Sequence, residues 1–167
     1  MMRLALIAIA WVALGCAAQA LDRDDRQSVE ITVNDFLADF ESRDWEAFNL
    51  PPGLLAHIAD LQNSTPERLQ AAMIAQTRDM MRTVVVDSVE VDWDAMVTGE
   101  TDSGTGYAFL PFRSRFRLES GRFHEAVSVN IVTWVDEDWY VVRIGQPQLW
   151  ALFQAAYPEF GGVDFPG

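Results

Sequence analysis

The spacing of apolar residues changes near Thr83, and this change limits the fold more than any other feature of the sequence. Before it, apolar residues recur every three or four positions, as on one face of an α-helix. After it, they alternate or run continuously, as in β-strands. Helices followed by consecutive strands are typical of α+β domains with an antiparallel sheet. We therefore predict an α+β fold with N-terminal helices packed on one face of an antiparallel sheet.

The predicted elements follow from this periodicity and from the turn residues between the segments. Thr65 is a predicted helix N-cap, because Pro66 and an acidic residue follow it. The predicted helices cover residues 28–41, 54–62, 66–82 and 149–156. The predicted strands cover residues 84–93, 106–118, 122–135 and 139–145, with a loop or hairpin at 95–105.

The first twenty residues have the three parts of a secretory signal peptide. Arg3 supplies the positive charge, residues 4–14 form an unbroken apolar run, and Ala18 and Ala20 flank Gln19 as in a cleavage site. The run is too short to span a bilayer. We predict a signal peptide at residues 1–20 and a periplasmic or extracellular location, the alternative being a buried N-terminal helix.

Cys16 introduces a second alternative for this segment. It follows an Ala-Leu-Gly sequence that resembles a bacterial lipoprotein box, although leucine stands two residues before the cysteine instead of three. Lipidation at Cys16 would make the protein membrane-anchored, and a single acyl chain anchors only marginally.

The length and composition after the leader indicate one domain. Half of the full chain is apolar, which allows a sizeable core. We assign residues 21–157 to a single α+β domain and residues 158–167 to a tail rich in glycine and proline. We predict no transmembrane segment in this part of the chain.

Charge and missing residue types exclude several functions. The formal net charge of −13 opposes binding to nucleic acids. The chain has no lysine for Schiff-base chemistry and no cysteine beyond Cys16. With only two histidines, a metal site is not expected. We therefore predict no metal and no cofactor.

Two segments resemble the nuclear transport factor 2-like superfamily, which includes ketosteroid isomerase and polyketide cyclase relatives. They are residues 44–48 (Asp-Trp-Glu-Ala-Phe) after the first helix and residues 139–144 (Trp-Tyr-Val-Val-Arg-Ile) after an acidic turn. The resemblance covers residues 28–145 and implies a curved, cone-like sheet around an internal pocket. The helix after the last strand is an extension of this pattern. Because the superfamily contains both enzymes and non-catalytic domains, the resemblance implies the fold and not an activity.

Proton-transfer chemistry in such a cone would need an acid or base whose pKa is shifted by burial. Strand alternation places Glu125 with Ile131 on a predicted core face and His124 on the outer face. It also places Asp87 with Val89. The weak catalytic candidates are His57, Asp87, Asp92, Tyr107, His124 and Glu125. The alternative is that the carboxylates are solvated at strand ends and that His57 is structural.

The same alternation places three arginines on one strand face. They are Arg113, Arg115 and Arg117, and the candidates for partner binding are these three with Trp134 and Arg143. Interfaces are enriched in arginine and aromatic residues. The alternative is cross-strand pairing with Glu90, Glu119 and their neighbours, which would contribute little at a surface.

Three functions remain open from the sequence. The first is an exported, non-catalytic domain of the cell envelope that binds a protein or a small apolar ligand. The second is a cofactor-independent isomerase, dehydratase or cyclase. The third is a structural subunit that docks on a larger envelope complex. The partner bound through the sheet could also be a second copy of the chain, which would make a homodimer.

Overall fold

The computed structural model describes residues 21–46, 49–118 and 120–165, and the predicted leader with Cys16 lies outside them. The α+β fold class is confirmed: helices precede a curled antiparallel sheet, and a helix follows it. The helices are α1 (Arg23–Ser42), α2 (Pro52–Leu61), α3 (Pro66–Thr83) and α4 (Pro147–Ala156). The strands are β1 (Val84–Val91), β2 (Val97–Glu100), β3 (Gly106–Leu118), β4 (Phe123–Val135) and β5 (Asp138–Arg143).

Two helix starts follow local capping rules. The side chain of Asp22 accepts hydrogen bonds from the backbone N–H groups of Asp24 and Asp25, both at 2.8 Å. The predicted cap at Thr65 is confirmed, since its hydroxyl accepts from the Arg68 N–H at 3.4 Å. Each cap satisfies backbone donors that the first helical turn leaves without an intrahelical acceptor.

The sheet has the order β1-β3-β4-β5, and every described pairing is antiparallel. The short strand β2 pairs with the beginning of β3, whereas β1 pairs with the rest of it. Consecutive strands are therefore joined across short turns, as the sequence predicts.

A β-bulge in β1 changes the predicted faces of that strand. Val86 lies opposite Phe116, but Ser88 lies opposite the next partner, Arg115, so Asp87 is the extra residue. After the bulge, Val89 shares a face with Val86. The prediction that Asp87 and Val89 follow one alternating pattern was wrong, because simple alternation fails across an inserted residue.

Both faces of the sheet carry a core. The α1 face is the one with Ala108, Leu110 and Phe112 of β3, and it packs against Val29 and Val33 of α1. The opposite face, here called the α4 face, includes Phe109, Ile131 and Val142 and packs against the following helical residues: Leu54, Trp150 and Phe153. The helices thus cover both faces, and the prediction of one covered face was wrong. The adjacent residues Ile131 and Val132 point to opposite faces, and both are fully buried.

The first half of β4 extends beyond the helices on the α4 face. Phe123 is 51% exposed and Val127 is 63% exposed, while Ile131 farther along the strand is fully buried. The prediction that the strand face of Glu125 and Ile131 belongs to the core was therefore wrong for the first half of the strand. The reason is that α2 and α4 pack only on the other end of the sheet.

Part of the predicted tail packs into the domain. Phe160 is fully buried and contacts Phe153 and Trp150 through ring edges, with centroids 5.1 Å and 6.3 Å away. The side-chain amide of Gln154 donates to the carbonyl of Phe160 at 2.8 Å. The polypeptide after α4 is thus held against the α4-face core.

None of the helices in residues 21–46, 49–118 and 120–165 is both long enough and apolar enough to cross a bilayer.

Candidate functional site

A cleft of about 710 Å³ lies between α1, α3 and the α1 face of the sheet. Its α1 side is a helical stripe spaced by three and four residues: Thr32, Asp35, Phe36, Asp39 and Phe40. Met73, Ile74 and Thr77 line it from α3 with the same spacing. In the structure, the two carboxylates and the two phenylalanines face the same space.

Aromatic rings form much of the wall. Phe36 meets Phe112 of β3 edge-on, with ring centroids 6.0 Å apart. Phe40 meets Trp45 in the same way at 5.7 Å. Trp139 of β5 lines the cleft on the sheet side. Because edge-to-face contacts are a favourable geometry for aromatic pairs, these rings fix one another's positions.

Asn130 lies on the sheet floor of the cleft and is only 4% exposed. Its side-chain N–H group is close to two backbone carbonyl oxygens, those of Leu110 and Ser128, both at 3.5 Å. It also lies 3.4 Å from the Ser128 hydroxyl. No described residue donates a hydrogen bond to Oδ1 of Asn130. Every fully buried side-chain polar atom among the described residues has a hydrogen-bond partner, so Oδ1 is not fully buried. Oδ1 is therefore the atom that remains accessible from the cleft.

The charged residues of the cleft are mostly acidic. They are Asp35, Asp39 and Asp138, with Arg143 as the cation. Arg143 lies opposite Asn130 in the β4–β5 register. Among the described residues, no carboxylate lies within 4 Å of the Arg143 guanidinium. The lining therefore carries an excess of negative charge.

Trp45, Asn49 and Leu50 follow α1 and line one side of the cleft, and Glu46 and Asn49 are tied to α3. The side-chain amide of Gln70 donates to the side-chain carbonyl of Asn49. Arg78 pairs with Glu46 at 2.6 Å. Both side chains of this ion pair are more than half exposed, so the pair orients the segment more than it stabilises the fold.

A smaller pocket of about 200 Å³ adjoins the bulge of β1. It is lined by the ends of α1 and α3 and includes Glu41, Arg43 and Asp87. Of the predicted catalytic residues, Asp87 alone lines either of these two spaces.

The six catalytic candidates do not come together in the cleft. Asp87 lies 3.9 Å from Arg117, and Asp92 lies 3.3 Å from Arg113. Asp92 also caps a short 3-10 turn by accepting from the Ala95 N–H at 3.2 Å. These two carboxylates therefore have structural partners at the sheet edge.

The remaining candidates are separated from one another. His57 is partly exposed on α2, and Glu125 is exposed opposite Arg115. His124 is exposed and stacks on Phe116 with centroids 5.8 Å apart. Tyr107 packs between Phe109 and Phe160 on the other side of the sheet. Burial, with a smaller effect of Asp164, raises the pKa of the Tyr107 hydroxyl.

The partner-binding candidates divide between the two faces. Arg113, Arg115 and Arg117 lie on the exposed part of the α4 face, where the Arg115 guanidinium is 4.6 Å from the centre of the Phe123 ring. The structure does not place the other two with them. Arg143 and Trp134 lie on the α1 face, and Trp134 contacts Trp139 at 6.1 Å.

In the part of the chain that the structure describes, no group of three or more histidine, cysteine, aspartate or glutamate side chains is arranged to hold a metal ion.

Comparisons of the chain with protein-family models, with curated proteins and with solved structures gave no match.

Proposed function

We propose that this protein is an exported, non-catalytic binding domain of the cell envelope, and that a small, mainly apolar ligand occupies the cleft. The observation that carries the proposal is an open space of about 710 Å³ with aromatic walls and a few polar groups at its floor and rim. Small-molecule sites typically enclose about 300–1,000 Å³ and combine apolar walls with a few placed polar groups. Export rests on the leader pattern of residues 1–20, and the cone-like fold on the resemblance to nuclear transport factor 2-like proteins.

Native mass spectrometry of the protein purified from its own envelope fraction tests this function. We expect a bound species of small-molecule mass that is released on denaturation. Protein that is free of adduct, and that binds no uncharged apolar probe such as N-phenyl-1-naphthylamine in the cleft, would contradict the proposal.

An isomerase, dehydratase or cyclase receives less support from the geometry. None of the six catalytic candidates lines the large cleft, and its carboxylates are Asp35, Asp39 and Asp138. If the domain were such an enzyme, one of these three would have to act as its acid or base.

A second candidate function is that of a docking subunit in a larger envelope complex. It is favoured by Phe123 and Val127, which are exposed beside the three arginines of the α4 face. Arg113 and Arg117 each have a carboxylate within 4 Å, whereas Arg115 has none among the described residues. The occupant that fits this face is an acidic protein surface.

Charge reversal on this face tests the second candidate. Arg115→Glu should abolish a cross-linked complex that forms in the envelope, and Arg26→Glu on α1 is the matched control. A complex that persists in Arg115→Glu would exclude this face. Concentration-dependent dimers in light scattering, lost in the same variant, would assign the face to a second copy of the chain.

A further inference from the structure

We infer that the ligand of the cleft is an organic cation, a tertiary or quaternary ammonium group with apolar substituents. This inference rests on the proposed function and adds the charge of the ligand to it. Two features of the cleft lead to it, the aromatic walls and the excess of carboxylates. An accessible acceptor on the floor offers a contact to the uncharged part of the ligand.

The aromatic walls suit a positive charge with an apolar surface. The face of an aromatic ring carries negative electrostatic potential and attracts cations within about 6 Å of its centre. Six rings from four parts of the fold line the cleft: Phe36, Phe40, Trp45, Phe112, Trp139 and Tyr140. An ammonium group that carries alkyl or aryl substituents can contact such rings with little loss of hydration.

Carboxylates lie on the same stripe as two of these rings. Asp35 and Asp39 are one helical turn apart on α1, beside Phe36 and Phe40. A ligand that contacts these phenylalanines therefore lies close to two negative charges. The whole chain adds a favourable field, because its formal net charge is −13.

The floor offers an acceptor at a buried position. Asn130 is only 4% exposed, and both carbonyls near its side chain lie at its N–H end, which leaves Oδ1 to the cleft. Because the protein supplies no donor to this accessible oxygen, it can accept a hydrogen bond from a neutral N–H or O–H group of the ligand.

Arg143 limits where the cation can lie, because it stands opposite Asn130 in the β4–β5 register. Asp138 and Arg143 are the first and last residues of β5, so their backbones lie about 17 Å apart at the rise of an extended strand. The cationic part of the ligand is therefore expected near the α1 carboxylates and Asp138, and the part near Arg143 is expected to be neutral.

Calorimetric titration of the purified protein with three probes of similar size tests the inference. The probes are benzyltrimethylammonium, its uncharged isostere neopentylbenzene, and benzenesulfonate as the anion. We expect the cation to bind at least about tenfold more tightly than the isostere, from cation–π and charge contributions together. Binding of the cation should weaken as salt is added, because its carboxylate partners are at the rim.

Charge-neutral variants test whether Asp35 and Asp39 are the carboxylates that favour the cation. Asp35→Asn combined with Asp39→Asn should lower the affinity for the cation about tenfold and leave that for the isostere unchanged. Asp60→Asn combined with Asp79→Asn removes the same charge outside the cleft and should change neither affinity. If the first variant does not fold, the single variants Asp35→Asn and Asp39→Asn, each compared with Asp60→Asn, provide the same comparison.

The outcomes separate the inference from the proposed function. Equal or tighter binding of neopentylbenzene or benzenesulfonate would overturn the cationic assignment and leave the cleft as a ligand site. An equal loss of affinity for the cation in the two double variants would also overturn the cationic assignment, because the loss would then reflect the net charge of the protein alone. Failure of all three probes to bind would overturn both.

Discussion

The hydroxyl group of Tyr157 donates a hydrogen bond to the carboxylate of Asp136, and together these side chains cap a helix far from them in sequence. The same carboxylate accepts from the Gly53 N–H at 2.8 Å, and the Tyr157 oxygen accepts from the Leu54 N–H at 3.2 Å. Pro51, the residue before α2, provides no side-chain cap. The network therefore joins the end of α4, the β4–β5 turn and the start of α2.

Loss of the Tyr157 hydroxyl should destabilise the fold. Tyr157→Phe leaves the buried Leu54 N–H without its acceptor and should lower the free energy of unfolding by about 1–3 kcal/mol. Urea denaturation measures this change. The control is Tyr140→Phe, whose hydroxyl bonds to no described residue and whose loss should change stability by less than about 0.5 kcal/mol. Equal losses of unfolding free energy in the two variants would contradict the stabilising role of the Tyr157 hydroxyl.

Alkaline pH should destabilise the protein through the same residue. Burial, followed by the hydrogen bond to Asp136, raises the pKa of Tyr157 above its unfolded value of about 10. Its contribution to stability is fully present below that value and is lost as the pH rises through the folded-state pKa.

Burial also raises the pKa values of Tyr107 and Tyr140, so all three tyrosines should ionise later than free tyrosine. Ultraviolet titration of the phenolates checks this, and the last transition should be missing in Tyr157→Phe. If that variant loses the earliest transition instead, the assignment is wrong.

Gly53→Ala should destabilise the protein even though alanine favours helices. A methyl group at position 53 would lie 2.9 Å from the Tyr157 oxygen and 3.1 Å from its ring carbons. The gain in helix propensity is about 1 kcal/mol, whereas overpacking costs about 1–3 kcal/mol. We expect a net loss in urea denaturation that is smaller in the Tyr157→Phe background. Additive effects in this double-mutant cycle would contradict the contact.

The β4–β5 turn provides a matched pair of substitutions. Asp136 and Glu137 both have left-handed backbones, with φ angles of 51° and 67°, which favour glycine. Glu137→Gly should therefore raise the free energy of unfolding by about 1 kcal/mol. Asp136→Gly relieves the same strain but removes the cap of α2, so we expect it to lower thermal stability. Stabilisation by both substitutions would show that the cap contributes little.

Local signals predicted most of the elements, and distant contacts account for what they missed. The Thr65 cap and the alternating residues of β3 identify their elements directly from sequence. The bulge at Asp87 leaves no such signal, because one inserted residue among valines does not interrupt the apolar pattern. The apolar run at Ile131 and Val132 could have indicated a strand buried on both faces.

The candidate site was less predictable than the fold. Spacing along α1 places Asp35 with Phe36, but only the position of α3 makes their shared face one side of a cleft. Asn130 alternates with apolar residues, and its burial depends on β3 and α1. The partners of Tyr157 lie 21 and 103 residues away, so no local pattern could relate them.

The most direct test of ligand binding compares two neighbouring residues of β4. Ser128 lines the cleft, whereas Val127 is exposed on the opposite face. Ser128→Phe should place a ring in the cleft beside Asn130 and displace a ligand from that part of it, and Val127→Phe is a matched control of the same strand. In native mass spectrometry of both variants from the envelope, we predict that the small-molecule adduct is lost only in Ser128→Phe. An adduct retained at full occupancy in Ser128→Phe would contradict binding in the cleft.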